Sequence, residues 1–206
     1  MVSEVRIYVE GGGDGKDTKA LLRQGFHGFL RELISDARRK RIGWRIVACG
    51  SRNDTFKNFL TAVKTHTEAF NILLVDAEGP VSRSPKLHLI ARDGWQLPDV
   101  DDVCFHLMVQ TMETWIMADV DTLSRFYGQG FNANAIPRNP DVEQVSKEDL
   151  ATALTNATRS TSKGKYHKTR HAPQLLEQLD VVRIRKAAAH CERLFSTLES
   201  YLVSSV

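Results

Sequence analysis

The sequence predicts an α/β fold built on a parallel sheet, because strand-like and helix-like segments alternate along its first half. Residues 5–9 alternate in polarity and are rich in β-branched and aromatic side chains, whereas residues 71–75 form a continuous apolar run. Such apolar runs are typical of strands buried on both faces of a parallel sheet. Between these strands, apolar residues recur at helical spacing over residues 21–37 and 56–63. The alternation indicates βαβ units.

The remaining elements of the first half follow from the same patterns. Two more strands are predicted at residues 45–49 and 103–109, where β-branched and apolar residues cluster. The polar stretch 81–102 contains serine and proline at positions typical of turns, so it is predicted to be a loop. A helix is predicted over residues 111–126, because its apolar residues share one helical face.

The second half of the chain contains helix patterns only. After the glycine-rich stretch 128–130, one helix is predicted to begin at Ser146, a residue type that caps helices, and others run from Pro173 onward. The predicted organisation is an α/β domain at residues 1–127 and a helical extension at residues 128–206, packed on the same core.

Composition excludes several classes of protein. Of 206 residues, 42% are hydrophobic and 26% are charged, which is typical of globular chains and not of disordered ones. No apolar run is long enough to span a bilayer, and the first residues do not resemble a signal peptide, so no membrane contact and a cytoplasmic location are predicted. The three cysteines form no Cys-x-x-Cys pair, which argues against a zinc ribbon.

Acidic residues follow two of the predicted strands. Glu10 comes directly after the first strand, and Asp76 and Glu78 come after the third. Because the carboxyl ends of parallel strands meet at one edge of a sheet, these side chains are expected to converge. Carboxylates are the ligands that Mg²⁺ prefers, so a Mg²⁺ or Mn²⁺ site is predicted here, with Asp14 assisting. In the alternative interpretation, Asp76 caps a turn and Glu10 lies exposed in a loop.

The glycine run after the first strand does not fit the known phosphate-binding patterns. The pattern G-x-x-x-x-G-K-[ST] would need glycine at Glu10 and a hydroxyl at Asp17. The dinucleotide pattern G-x-G-x-x-G would need a third glycine at Lys16. A loop flanked by carboxylates repels a bare phosphate, which favours a metal ion as the ligand of this edge.

Glu113 begins the helix that follows the fourth predicted strand, close to the same edge of the sheet. It is a candidate additional ligand. Alternatively, it is an acid in the first turn of a helix, where the helix dipole favours negative charge.

The segment 159–171 contains five lysines and arginines, two histidines and no acid. It is predicted to contact the phosphate backbone of a nucleic acid, acting on substrate binding rather than on metal binding. The candidate contacts are Lys163, Lys165, His167, Lys168 and His171. The alternative is a solvated basic loop, and a zinc site at the two histidines would need further ligands.

Two stretches of the first half resemble the Toprim signature. Val9–Asp14 followed by a helix corresponds to its glutamate after strand one, and Val75–Glu78 corresponds to its D-x-D pair after strand three. Glu78 stands where most Toprim proteins have a second aspartate. Nearly the whole chain also resembles a Toprim-like group, the domain-of-unknown-function family 4276. The stretches that carry this resemblance are VEGGGD, GFHGFL, RIVACGSR, LLVDAEGPV, RDGW, HLMVQTMETWIMAD and KGKYHKTRH.

The resemblance implies a Toprim-like fold and a Mg²⁺- or Mn²⁺-dependent nuclease acting on DNA or RNA, including tRNA. It implies catalytic roles for Glu10, Asp76, Glu78 and Glu113, and a place as effector of a bacterial anti-phage defence system. Because genes of this group often neighbour AAA- or ABC-type ATPases, it also implies an ATPase partner and a larger, oligomeric complex. The rival hypotheses are a non-catalytic Toprim-like regulatory module that docks an ATPase, and a nucleotide-binding sensor.

Overall fold

The computed structural model of the protein describes residues 4–204. Its centre is a four-stranded parallel sheet with the strand order β2-β1-β3-β4. The strands are β1 (Glu4–Glu10), β2 (Gly43–Gly50), β3 (Ala69–Asp76) and β4 (Phe105–Met108). The predicted α/β fold with a parallel sheet and C-terminal helices is thereby confirmed.

Ten α-helices surround the sheet in the part of the chain that the structure describes. They are α1 (Lys16–Phe29), α2 (Arg31–Arg39), α3 (Arg52–Thr65), α4 (Pro85–Asp93), α5 (Met112–Met117), α6 (Val120–Tyr127), α7 (Lys147–Thr158), α8 (His171–Leu176), α9 (Val181–Ala187) and α10 (Ala189–Ser204). Among residues 4–204, none of these helices has the length and apolar character needed to cross a membrane.

The sheet separates two apolar layers. Alternate residues of β1 point to opposite faces, so Val5, Ile7 and Val9 pack with α1, α2 and the C-terminal helices. Tyr8 points the other way, into a smaller cluster that includes Phe59 of α3. The middle of β3 is completely buried on both faces, which explains why its sequence is an unbroken apolar run.

The C-terminal helices share the main core with the sheet. Helix α8 packs closely against α1, where two glycines remove the side chains that would separate the backbones. A Cβ atom at Gly25 would lie 2.5 Å from the carbonyl oxygen of Pro173, and one at Gly28 would lie 2.5 Å from Cγ of Glu177. The extension is therefore packed on the α/β part, while the boundary at residue 127 stays a prediction.

The prediction of a loop over residues 81–102 was wrong in its centre, which forms α4. Ser84 accepts a hydrogen bond from the backbone N–H of Leu87 (3.4 Å), and Pro85 occupies the first turn. A proline at that position loses no hydrogen bond, because the first N–H groups of a helix have no partner within it. Serine and proline here mark the start of a helix and not a turn.

Several other predicted elements are shorter than expected. The pattern over residues 21–37 covers two helices, α1 and α2, and the pattern over 111–126 covers α5 and α6. The second break lies at Asp119, whose side chain accepts a hydrogen bond from the backbone N–H of Thr122 (3.1 Å) and starts α6. Strand β4 starts two residues later than predicted, after a short 3₁₀ turn.

Candidate metal centre

Three acidic side chains meet at the carboxyl edge of the sheet. Glu10 is the last residue of β1, Asp76 is the last residue of β3, and Glu78 lies two residues farther on. One carboxylate oxygen of each lies within 4.8 Å of the other two. Because β1 and β3 are parallel neighbours, their ends bring these acids to one place.

The backbone after β3 fixes the position of Glu78. The N–H of Ala77 donates to the carbonyl of Met108 (2.8 Å), and the N–H of Glu78 donates to the carbonyl of Gln110 (2.8 Å). Glu78 has a φ of 65°, in the left-handed region that non-glycine residues rarely adopt. This local conformation brings the carboxylate of Glu78 to the other two acids.

Asp76 is the most deeply buried of the three acids. Its Oδ1 accepts a hydrogen bond from the backbone N–H of Met112 (2.9 Å), and its Oδ2 accepts one from Nζ of Lys168 (3.2 Å). Burial raises the pKa of Asp76 to about 7; Lys168 opposes this rise, and the negative charges of Glu113 and Glu10 add to it. The carboxylate is held in a site that disfavours its charge unless a cation is close.

Glu10 is held between two donors and does not lie exposed in a loop. Its Oε2 accepts hydrogen bonds from the backbone N–H of Asp76 (3.2 Å) and from Nη1 of Arg52 (3.0 Å). Burial raises the pKa of Glu10, and the guanidinium of Arg52 opposes that rise. The orientation of this carboxylate is therefore set by groups from β3 and α3.

Arg52 is a partly buried cation of the centre that the sequence pattern did not reveal. Its guanidinium makes a two-point contact with the carboxylate of Asp93 (2.9 and 2.8 Å) and also donates to the carbonyl oxygen of Asp76. It lies over the ring of Trp95, 5.2 Å from the centroid. The only sequence signal for Arg52 was indirect. Arg52 is the last residue of RIVACGSR, and its partners Asp93 and Trp95 lie in RDGW, and both are stretches that carry the family resemblance.

Glu78 is paired with a residue of the helical extension. Its Oε2 accepts a hydrogen bond from Nζ of Lys147, the first residue of α7. Burial acts to raise the pKa of Glu78, but the hydrogen bond and charge of Lys147, with Lys168 and Arg92, lower it overall. Each of the three acids thus contacts one cation from a different element: Arg52, Lys168 or Lys147.

Glu113 lies next to the three acids but outside their group. It is buried in the first turn of α5, where its Oε1 accepts a hydrogen bond from the hydroxyl of Tyr166 (3.0 Å). Its Oε2 lies 3.6 Å from Nζ of Lys168. Burial, followed by the charge of Glu113, raises the pKa of Tyr166 well above its usual range, so the phenol remains a donor. Glu113 and Asp76 are linked because both lie close to Nζ of Lys168.

The predicted phosphate contacts of segment 159–171 do not form one surface. Lys168 reaches the acids, whereas Nζ of Lys163 lies over the ring of Phe126, 5.0 Å from its centroid. His171 is buried, and its Nδ1 is hydrogen-bonded to the hydroxyl of Tyr127 (2.9 Å). Lys165 and His167 are exposed. Of the predicted phosphate contacts, Lys168 is therefore the one that contacts an acid of the candidate metal centre.

The glycine loop closes one side of the centre. Gly11 and Gly50 exchange backbone hydrogen bonds (2.8 and 3.1 Å), which joins the loop to the end of β2. Gly11, Gly12 and Gly13 all have positive φ, which glycine adopts at low cost. A cavity of about 240 Å³ lies between this loop, two of the acids and the start of α8. Asp14, the predicted assisting ligand, is exposed and lies outside the group of three acids.

Comparison with known families places the chain. Residues 9–199 match the family described as domain of unknown function (DUF4276). The chain belongs to this family. The matched region includes every acid and cation of the centre, from Glu10 to Lys168. Comparisons with curated proteins and with solved structures gave no match.

Proposed function

We propose that this DUF4276 protein is a Mg²⁺- or Mn²⁺-dependent nuclease that hydrolyses phosphodiesters. The observation that carries the proposal is the convergence of Glu10, Asp76 and Glu78 at the carboxyl edge of a parallel sheet, within 4.8 Å of one another. Ligands of open α/β sheets bind at this edge. The three side chains offer only carboxylate oxygens, which are the donors that Mg²⁺ prefers.

The charges around the acids also fit a divalent cation. Burial raises the pKa of Asp76 and of Glu10, so a positive charge must be near if both are to be ionised. When bound, a divalent cation would supply Lewis-acid stabilisation of the phosphoryl oxygens. Glu10, Asp76 and Glu78 would hold it.

The remaining residues of the centre have separate roles in this proposal. Arg52 keeps the carboxylate of Glu10 oriented through its bond to Oε2, and Tyr166 does the same for Glu113. Lys168 contacts Asp76 and Glu113. With Asp76 holding a divalent cation, the half-exposed amine of Lys168 would be available to contact a phosphate oxygen of the substrate.

The Toprim resemblance supports the same reaction. A glutamate after the first strand and an acidic pair after the third are the two parts of that signature, and both belong to the group of three acids. The resemblance further suggests DNA or RNA, including tRNA, as substrate, an AAA- or ABC-type ATPase as partner, and anti-phage defence as the setting. These parts of the proposal rest on the resemblance alone.

A second function is favoured by one observation. Each of the three acids already contacts a cation of the chain, so the centre is charge-paired without any metal. A Toprim-like regulatory or nucleotide-sensing subunit that docks an ATPase would need only such a stable, ion-paired edge. The two functions differ in whether the purified chain binds a divalent ion and cleaves nucleic acid.

The deciding experiment is incubation of the purified protein with plasmid, single-stranded DNA and tRNA, under Mg²⁺, Mn²⁺ or EDTA. We expect cleavage that needs the divalent ion and that Asp76→Asn and Glu10→Gln abolish. Asp17→Asn is the matched control, because this exposed acid lies at the same edge outside the group of three. Metal binding by calorimetry without cleavage, or no metal binding at all, would favour the regulatory function.

A further inference from the structure

The positive charge of the chain is concentrated in one continuous stretch. Residues 23–45 contain seven lysines and arginines and only two acids, a net charge of +5, whereas the formal charge of the whole protein is +3. The remainder of the chain therefore carries a charge of −2. This stretch runs from the second half of α1 through α2 into β2.

Four of these seven cations line one face at the outer edge of the sheet. Strand β2 is an edge strand, and two adjoining hollows of about 610 and 320 Å³ lie beside it. The hollows share His27 and Trp44 as a common wall. The basic face is defined by the four arginines and one histidine that line them: Arg23, His27, Arg38, Arg41 and Arg45.

Most of this charge is not neutralised by the chain itself. Arg23, Arg38 and Arg41 are exposed, and none of them forms an ion pair with any residue between 4 and 204. Two acids do border the face: Glu4 lies 3.5 Å from Arg45, and Glu177 lines the larger hollow. A surface with several unpaired guanidinium groups attracts a polyanion.

The backbone at Arg41 adds a separate observation. Arg41 has a φ of 59°, directly after α2, and the N–H of Ile42 donates to the carbonyl of Ala37 (2.9 Å). This helix ending is the kind in which glycine usually takes the left-handed position. The chain instead carries an arginine there, in a backbone conformation that L residues rarely adopt, and its side chain lines the smaller hollow. A strained position that bears a charge is a candidate for function.

We propose that the basic face binds the phosphate backbone of a nucleic-acid duplex. Arginine binds phosphate oxygens through two parallel hydrogen bonds. Single strands are usually bound by exposed aromatic rings on which the bases stack, but Trp44 is partly buried against the main core. Among the residues that line the two hollows, Trp44 is the only tryptophan, and there is no phenylalanine or tyrosine. The face therefore offers charged groups for phosphate contacts and little surface for base stacking. This combination suits the binding of a duplex.

The position of the face relates it to the metal centre. Trp44 pairs with Val5, and Gly50 pairs with Glu10, so the face and the acids lie at opposite ends of the same two strands. Five residues of strand correspond to about 17 Å, which equals roughly five base pairs of duplex. One duplex can then contact both places. Binding at the face does not require cleavage, although its use in presenting a substrate rests on the proposed nuclease function.

The experiment measures duplex binding without chemistry. Fluorescence anisotropy of a 20-base-pair duplex, of its single strand and of polyglutamate would be followed in EDTA across a series of salt concentrations. The test variant replaces Arg23, Arg38 and Arg41 with glutamine together. The control variant replaces three exposed lysines away from the face with glutamine, so that the net charge is the same. These lysines are Lys57, Lys64 and Lys186.

We expect the test variant to bind the duplex about tenfold or more weakly than the wild type. The slope of log affinity against log salt should fall in magnitude by about 3, because three phosphate contacts are lost. The control variant should keep the wild-type slope. Equal losses in both variants, or none in either, would overturn the proposal, as would binding of polyglutamate in preference to the duplex.

One other explanation has its own signature. Charged side chains beside an edge strand can also keep sheets from pairing edge to edge. If that is their only role, the test variant will associate or precipitate in size-exclusion chromatography while its affinity for the duplex stays unchanged. A wild type that binds the duplex but does not cleave it with Mg²⁺ would contradict the nuclease function and leave the basic face intact.

Discussion

The candidate metal centre and the basic face occupy opposite ends of β1 and β2, and they differ in how much of their charge is paired within the chain. At the metal centre, Glu10, Asp76 and Glu78 each contact a cation supplied by another element of the chain. At the basic face, three arginines form no ion pair with the described residues. The charges of the acids are paired within the chain, whereas those of the three arginines are exposed to solvent.

The ion pairs explain how three carboxylates can lie so close together in the folded chain. Carboxylates this close repel one another, and burial adds a further penalty to their charged forms. Cations of the chain reduce both penalties, and a metal ion then has to compete with them. Exposed arginines carry no such penalty, because water solvates them. Charge can therefore stay unpaired only at the surface.

The largest effect is expected at Asp76. Asp76→Asn should lower metal-dependent cleavage by at least about 100-fold, since loss of a ligand should exceed the 10- to 100-fold effect of residues that merely orient ligands. The fold should persist, because burial already disfavours the charged form of this side chain. Cleavage rates and the free energy of unfolding in urea check both parts. A variant that cleaves at the wild-type rate would remove Asp76 from the centre.

Substitutions of Arg52 test whether its ion pairs with Glu10 and Asp93 stabilise the protein. Arg52→Met should destabilise the protein by about 3 kcal/mol, because it leaves the partly buried carboxylate of Glu10 without its cation and that of Asp93 with Arg92 alone. Arg52→Lys should recover only part of this loss, since an ammonium group cannot make the two-point contact with Asp93. Chemical denaturation measures both variants. Equal stability of Arg52→Met and the wild type would show that the ion pairs of Arg52 do not stabilise the fold.

The strands and the acids could be predicted because their signals are local. Two-residue alternation and an apolar run mark β1 and β3, and the acids follow those strands directly in the sequence. The cations could not be assigned in the same way. Arg52 meets Asp93 41 residues away, and Lys168 meets Asp76 92 residues away. No periodicity connects such positions, so Lys168 was predicted only as a phosphate contact.

The free energy of unfolding should depend on pH through Asp76. The pKa of Asp76 is raised to about 7 in the folded protein, above its ordinary value of 3.8, so the folded state binds the proton more tightly than the unfolded chain. Without metal, the contribution of Asp76 to stability should therefore fall as pH rises from about 5 to 7, by about 1 kcal/mol per pH unit. Thermal unfolding of the wild type and of Asp76→Asn, compared over this range in EDTA, isolates the contribution.

Lys168 tests whether metal and chain compete for the same carboxylate. Lys168→Gln should tighten Mg²⁺ binding by about two- to fivefold, the effect expected for loss of a half-exposed ion pair with Asp76 and Glu113. Cleavage should nevertheless slow, if the amine contacts the phosphate after the metal binds. Calorimetry and single-turnover rates separate the two effects. Weaker metal binding in this variant would mean that Lys168 supports the metal site and does not compete with it.

The smallest effect is expected at Arg41. Arg41→Gly should stabilise the fold by about 0.5 kcal/mol, because glycine adopts a φ of 59° more easily than arginine does. Duplex affinity should fall about threefold, with a salt slope smaller by about 1. Chemical denaturation measures the expected gain in stability, and fluorescence anisotropy of the same variant measures the expected loss of duplex affinity. A stabilised variant with unchanged duplex binding would assign Arg41 no part in the basic face.

Substitutions at Gly25 and Gly28 should disturb the candidate metal centre, although neither glycine touches it. Any side chain at either glycine would push α8 away from α1, since a Cβ atom would lie 2.5 Å from atoms of Pro173 or Glu177. Helix α8 begins three residues after Lys168, so this shift would also move the amine relative to Asp76. In a scan of all single substitutions for activity, both glycines should be as intolerant as the metal-binding acids, while exposed positions on the same helix tolerate change.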